Sequence, residues 1–267
     1  MKRYSVILLF GLMSLSLPGC DVWEDRDMCP SYLILDCSRL EGDRADIWVF
    51  REDGSLDCRT SVSGQELKAV QRFQIKKGNY RCIVWTDIGG KTVTTDLSSL
   101  SGALYKAASG DADPLFSYCG EVSCSKDSVR VDATPRKMFI NVTVIFKSLK
   151  EEDNVRLCLN SSWGGFTLAG DGIKQENSVL SEGRDTVRMR IFRPFSFEGL
   201  NLELTVLFGD GTPVDSDFDL GEFLRDNNYD LTEDMLKDIY ITVDVSCFKT
   251  EIKTDPWDEV PPVVINY

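Results

Sequence analysis

Histidine is absent from all 267 residues. Its absence excludes a Ser-His-Asp triad, a Cys-His dyad and every His-ligated metal site; a site built from cysteine and carboxylates survives that test. Positive charge is also scarce. Thirty lysines and arginines stand against 43 aspartates and glutamates, a net charge of −13. The first nineteen residues carry only Lys2 and Arg3, so without them 28 basic residues face the same 43 acidic ones, −15. A surface that negative repels phosphate backbones and anionic lipid heads, and no nucleic-acid partner is expected. No Cys-x-x-Cys spacing supports a zinc ribbon or a thioredoxin-type site. No glycine loop cradles phosphate, and no Ser-x-x-Lys or Gly-x-Ser-x-Gly stands in a supporting context. Among 43 carboxylates nothing singles out a glycosidase pair, so no enzyme is expected. What remains is globular composition, 42% apolar and 27% charged, enough for one large or two ordinary domains.

The first twenty residues form a unit of their own. Lys2 and Arg3 precede the apolar stretch Tyr4 to Leu15, which is shorter than the roughly 20 residues of a membrane-spanning helix. The segment closes on Leu17-Pro18-Gly19-Cys20, which resembles the bacterial lipobox. Residues 1–19 then read as a lipoprotein signal peptide cut after Gly19, and Cys20 carries diacylglycerol and an acyl chain such as palmitate, with no other cofactor. At about 0.8 kcal/mol per buried methylene, two or three chains make a lasting anchor. The competing reading is an ordinary secretory peptide cut near Gly19 with a chance cysteine. Residues 20–27 hold Asp21, Glu24, Asp25 and Asp27 against Arg26 alone. This acidic start resembles the surface-export signal of Bacteroidota lipoproteins; a solvated tether or an inner-membrane retention signal stand beside it.

Eight cysteines remain: Cys29, Cys37, Cys58, Cys82, Cys119, Cys124, Cys158 and Cys247. An even number in an oxidising compartment permits four disulfides of unreadable connectivity. Cys119 and Cys124 have hairpin spacing and are the pair to test first. Cys82, Cys158 and Cys247 sit on apolar faces of expected strands, where a free thiol behaves as a small hydrophobe.

Beyond residue 28 the chain alternates with period two. Ile239, Ile241, Val243, Val245 and Cys247 oppose Tyr240, Thr242, Asp244 and Ser246; Leu202 to Phe208 and Val187 to Ile191 repeat the pattern. Further strands are expected over Leu33 to Cys37, Asp46 to Arg51, Arg72 to Ile75, Tyr80 to Trp85, Val129 to Val131, Met138 to Phe146 and Val155 to Asn160. Turns are expected at Glu52-Asp53-Gly54, Lys77-Gly78-Asn79, Gly89-Gly90, Gly164-Gly165 and Gly209-Asp210-Gly211. Asp219 with Glu222 makes a capping box with Phe218 and Phe223 as its staple, and Thr232 begins a second short helical turn. The Ser/Gly/Ala-rich stretch Asp96 to Pro114 reads as a long surface connection.

The order of elements appears twice, with a boundary near Thr134 and Pro135. The expected fold is all-β: two tandem β-sandwich domains, 28–134 and 135–267, with a few short helical turns. Asp215, Asp217 and Asp219 are the one candidate set for a hard cation, a poor EF-hand because Gly221 comes one place late and Asp226 stands where a bidentate Glu belongs. Trp48 and Trp85 read as core; Trp163 and Trp257, and with them Trp23, are candidates for a sugar-stacking platform.

The lipobox, Cys29-Pro30 nine residues after Cys20, a first strand Tyr32 to Cys37, two sandwich-like halves, Leu220-Gly221-Glu222-Phe223-Leu224, Leu231 to Met235, Ile239 to Cys247 and the close Pro256-Trp257-Asp258-Glu259-Val260 follow one another in order. Together they resemble the lipidated anchor subunits of Bacteroidales type V fimbriae. The resemblance implies transthyretin-like domains, an outer-membrane cell-surface location through the lipid, pilin subunits as partners, and a role in adhesion as the base that moors a fimbria and limits its growth. It also implies strand complementation, in which an open sheet edge accepts an extended segment. Tyr32 to Cys37 and Val263 to Tyr267 are candidate edge strands, because terminal strands often lie at edges. The alternative function is a surface glycan-binding β-sandwich lipoprotein. An exposed row of aromatics would favour it, and an open apolar edge groove would favour the fimbrial reading.

Overall fold

The structure is a computed structural model that describes residues 29–108 and 110–246, with the backbone of 249–253 and 263–266. Alternating apolar residues fold into two stacked sheets, twice. The first repeat contains β1 (Ser31–Asp36), β2 (Arg44–Arg51), β3 (Leu56–Ser63), β4 (Val70–Ile75) and β5 (Gly78–Thr86). After the insert β6 (Thr92–Thr95) and β7 (Ala103–Lys106), it ends with β8 (Phe116–Cys124) and β9 (Ser128–Asp132). The short β10 (Arg136–Lys137) leads to the second repeat: β11 (Phe139–Lys147), β12 (Asn154–Thr167), β13 (Gly172–Gly183), β14 (Thr186–Phe192), β15 (Asn201–Leu207), β16 (Pro213–Asp219) and β17 (Ile239–Asp244). Helix α1 (Leu220–Asp226) precedes β17, and β18 (Lys249–Lys253) and β19 (Val263–Asn266) follow it.

The duplication extends to the pairing. In the smaller sheets, order β4-β1-β9 matches β14-β11-β17, with the central strand antiparallel to one neighbour and parallel to the other. In the larger sheets, β8-β5-β2-β3 matches β16-β15-β12-β13. The fold is therefore the expected tandem β-sandwich. Thr134 and Pro135 lie between β9 and β10, yet β10 pairs back onto β8, while β7 pairs with the far end of β12.

Three cores follow from side-chain parity. Leu33, Leu35, Ile47, Val49, Cys82 and Val84 fill the first sandwich; Val142, Val144, Leu157, Leu159, Ile239 and Ile241 fill the second. The alternate residues Trp48, Phe50, Ile83 and Trp85 face the other way and join Leu104, Leu115, Phe166, Leu168 and Phe192 in a core shared by both halves. Strand β2 is consequently buried on both faces from Ala45 to Phe50, and it reads as a continuous apolar run, as strands covered on both faces do. Each large side chain hidden there contributes roughly 1.5–3 kcal/mol. Trp85 stacks 5.6 Å from Phe166 and donates its indole N–H to the Leu168 carbonyl at 2.8 Å, so the junction is both packed and hydrogen-bonded.

Several expectations change. The stretch 96–114 is no surface connection: Ala103, Leu104, Lys106, Ala112 and Asp113 are buried. Asp113 accepts the amides of Gly89 and Lys91 and the Thr92 hydroxyl, which ties the insert down. Gly90-Lys91 does form a turn, closed by Thr92 N–H on the Gly89 carbonyl. Gly164-Gly165 is not a turn but part of β12, where a side chain at 165 would strike Tyr105 and the Leu104 carbonyl and so block β7. Asp219 caps α1 by accepting Glu222 N–H at 2.7 Å, with Phe218 and Phe223 in contact, as expected. No helix starts at Thr232. Its N–H and hydroxyl go to Asp230, and the carbonyls of Leu231, Glu233 and Asp234, which a helix would use internally, go to the Arg193 guanidinium. Arg193 is fully buried; burial, and then the neighbouring Arg136 charge, pull its pKa down to about 10.

Candidate functional site

The two repeats differ at one sheet edge. Asp127 and Ala133 bracket β9 with bonds to β1, Tyr32 N–H to the Asp127 carbonyl and Ala133 N–H to the Asp36 carbonyl, both 2.9 Å. In a parallel ladder the odd-numbered residues of β9 then face β1, and Ser128, Arg130 and Asp132 turn their N–H and C=O groups outward. Among the described residues no strand pairs with that side. In the second repeat Val245 donates to the Lys147 carbonyl at 3.1 Å in the matching place. There Tyr240, Thr242 and Asp244 face outward and register with Lys253, Glu251 and Lys249 of β18, which is continued by β19. The second edge is closed by the chain's own carboxy-terminal strands; among the described residues its counterpart has no neighbour.

Behind the open edge, Val129 and Val131 are half-buried and pack with Tyr118 against the first core. On the outside, Arg130 pairs with Asp36 at 2.5 Å and Asp132 at 3.3 Å. The Ser38 hydroxyl and amide, and then Arg130, hold the Asp36 carboxyl below its usual range. Charges on a free edge discourage indiscriminate strand pairing. Of the two expected edge strands, β19 does terminate its sheet, but β1 is central, paired on both sides. The edge residues Ser128, Arg130 and Asp132 were not legible as such: Val129 to Val131 announces a strand, and nothing local announces its neighbours.

Gly19, Cys20 and the tether 20–27 lie outside the described residues, as do Cys247, Trp23 and Trp257. Asp215, Asp217 and Asp219 share the exposed face of a strand, not a loop. Successive carboxylates there are about 7 Å apart. Asp215 accepts from Thr205 and Asp219 from α1, and among the described residues no group of His, Cys, Asp or Glu converges to hold a metal. Cys119 and Cys124 form no hairpin bridge. Both are free thiols on the single strand β8, on opposite faces, one exposed and one buried. Five residues of strand separate them by about 17 Å, where a disulfide tolerates about 7 Å. Burial pushes the thiols of Cys37 and Cys58 up to about 11 and that of Cys82 to about 12, which leaves them unreactive. Trp48 and Trp85 are core, as expected. Trp163 is half-buried, its ring 5.3 Å from Phe195 and its N–H on Ser196.

The model of one family, Fimbrillin-A associated anchor proteins Mfa1 and Mfa2, matches residues 40–260. The chain belongs to this family. Solved structures share its fold at low identity. A candidate polysaccharide-binding protein of Bacteroides thetaiotaomicron matches with TM-score 0.64 and 13% identity over 89% of this chain and 98% of that one. A candidate adhesin of the same organism gives 0.64 and 14% over 89% and 99%. The fimbrial anchor protein Mfa2 of Porphyromonas gingivalis gives 0.58 and 16% over 89% and 99%. No curated protein sequence matches. Membership of this family makes the chain a fimbrillin-associated, anchor-type protein. Among the described residues no helix is long and apolar enough to cross a membrane.

Proposed function

We propose that this anchor-family member is the lipid-anchored base of a fimbria. Acyl chains on Cys20 hold it in the outer membrane, a pilin docks by strand complementation, and attachment to the membrane limits further growth. The observation that carries the docking is the open β9 edge. Its repeat counterpart shows which kind of segment suits such an edge: an extended strand laid antiparallel against the outward groups. The acceptor offers Ser128, Arg130 and Asp132 for main-chain bonds and the half-buried Val129 and Val131 beneath them for apolar contact. The shared core between the repeats supports mooring, because a load on one repeat passes through packed aromatics rather than a linker. The glycan-binding alternative called for an exposed aromatic row, and the described tryptophans do not form one.

Arg130→Pro deletes one outward N–H without touching the β1 ladder, a change edge strands tolerate. The detergent-solubilised wild-type lipoprotein should co-purify its pilin, and the variant should not, with its melting temperature nearly unchanged. Equal pilin capture by both would contradict docking at β9. Separately, Cys20→Ala should release the protein into the culture fluid, and its retention in the membrane would contradict the lipid mooring.

A further inference from the structure

The two matching edges differ in charge at one corner. In the second repeat the last residue of β17, Asp244, registers with Lys147 of β11 on one side and with Lys249 of β18 on the other. Each neighbouring strand brings a base to that aspartate's row. The matching residue of the first repeat is Asp132, since the residues that follow, Ala133 and Val245, donate to the carbonyls of Asp36 and Lys147. Where β11 has Lys147, β1 has Asp36, in direct register with Asp132. Two carboxylates thus lie abreast and share one guanidinium, Arg130, at 2.5 Å from Asp36 and 3.3 Å from Asp132. Asp36 also accepts the Ser38 amide. The Asp132 carboxylate is 64% exposed and has no second partner among the described residues. Its row lacks the base that a further strand supplies in the second repeat.

Side-chain parity sets the remaining positions. Val129 and Val131 are half-buried, whereas Ser128, Arg130 and Asp132 are exposed. A strand laid antiparallel on β9 therefore turns the residues opposite the valines toward the core and the others to the outer face. The second repeat supplies an order that fits. Lys249, Thr250, Glu251, Ile252 and Lys253 register opposite Asp244, Val243, Thr242, Ile241 and Tyr240. Transferred to the matching positions of β9, that order sets a lysine opposite Asp132, a threonine opposite Val131, a glutamate opposite Arg130 and an isoleucine opposite Val129. Both charged pairs are complementary, and opposite charges directly across an antiparallel pair attract while like charges repel. A guanidinium has five N–H donors, so the two ion pairs of Arg130 leave donors for a carboxylate arriving from the edge side.

We infer that the β9 edge selects its occupant by charge order: an extended segment of a fimbrial subunit with a lysine or arginine opposite Asp132, a carboxylate opposite Arg130, and apolar or β-branched residues opposite Val131 and Val129. The inference rests on the docking at β9 proposed above and adds to it which strand the edge prefers.

Two synthetic heptapeptides test the preference by backbone amide NMR on the isotope-labelled, detergent-solubilised full chain. One is Phe-Lys-Thr-Glu-Ile-Lys-Thr, the sequence of residues 248–254; the other exchanges its first lysine with the glutamate. Composition and net charge are the same in both, so general attraction to an acidic protein does not distinguish them. In the full chain β17 is covered by β18, and of the two matching edges only β9 is left to the peptides. The first should shift the amides of Ser128, Arg130 and Asp132, and the second should bind roughly tenfold more weakly. Arg130→Glu combined with Asp132→Lys should reverse the preference, which a merely weakened edge would not do. Asp132→Asn, made separately, should narrow it should the double variant not fold. Equal binding of the two peptides to the wild type, or an unchanged preference in the folded variants, would overturn charge selection and leave docking at β9 standing. Unshifted β9 amides with both peptides at about 1 mM would overturn the docking as well.

Discussion

Among the described residues the first repeat buries the outer face of its larger sheet and leaves an edge of its smaller sheet unpaired; the second repeat does the reverse. Both have the same seven-strand topology, so the difference comes from side chains and from chain length. Outward positions on β2 and β5 are Trp48, Phe50, Ile83 and Trp85, and a face of that composition must be covered. Outward positions on β12 and β15 include Arg156, Asn160, Glu203 and Thr205, satisfied by cross-strand pairs with Glu182 and Asp215 and between Asn160 and Glu203. That face rests in water. At the edges, β18 closes β17, and no described segment closes β9. One fold thus yields a fixed internal joint in one place and, under the proposed function, the edge offered to a partner in another.

The joint can be broken directly. Trp85→Ala should cost about 3–5 kcal/mol in denaturant unfolding, whereas Thr205→Ala on the equivalent face of the second repeat should stay within about 0.5 kcal/mol. Similar losses would erase the distinction between the two faces. Arg193→Met takes the guanidinium donor away from the carbonyls of Lys137, Leu231 and Glu233, while the Asp234 carbonyl keeps the Lys137 N–H. It should cost about 2–4 kcal/mol and speed amide exchange in the segment leading into β17, sharpening the view that the joint is held by that side chain.

The smallest effect concerns pH. Burial works to raise the Asp238 carboxyl, but the Lys137 ammonium and the Asn141 amide outweigh it and hold it below its usual value. A carboxyl lowered in the folded state contributes stability above its unfolded pKa near about 4. That contribution disappears as pH falls through the lower folded value. Acid unfolding of the wild type should therefore be steeper in that window than that of Asp238→Asn, and superimposable curves would remove the ion pair from the account.

Much of this was legible before any coordinates. Period-two alternation located β1, β2, β4, β5, β11, β14, β15 and β17, because each buries at least one face. It missed β3, an edge strand whose inward Cys58 and Val62 are separated by Thr60, β13, an edge strand polar on both faces apart from a few residues such as the buried Val179, and β7, four residues within a Ser/Gly/Ala-rich stretch. In β16 the alternation of Val214, Ser216 and Phe218 with Asp215, Asp217 and Asp219 was present, but the acidic residues drew attention as a cation loop. In β8 the cysteine spacing suggested a hairpin where a straight strand runs. The open edge was hidden, since an edge is defined by a missing neighbour.

Amide hydrogen exchange on the full chain, alone and in complex with its pilin, bears most directly on the central claim. Tyr240, Thr242 and Asp244 should be protected in both states, and Ser128, Arg130 and Asp132 only in the complex. Protection of the β9 amides in the free chain, or their continued rapid exchange in the complex, would contradict the account.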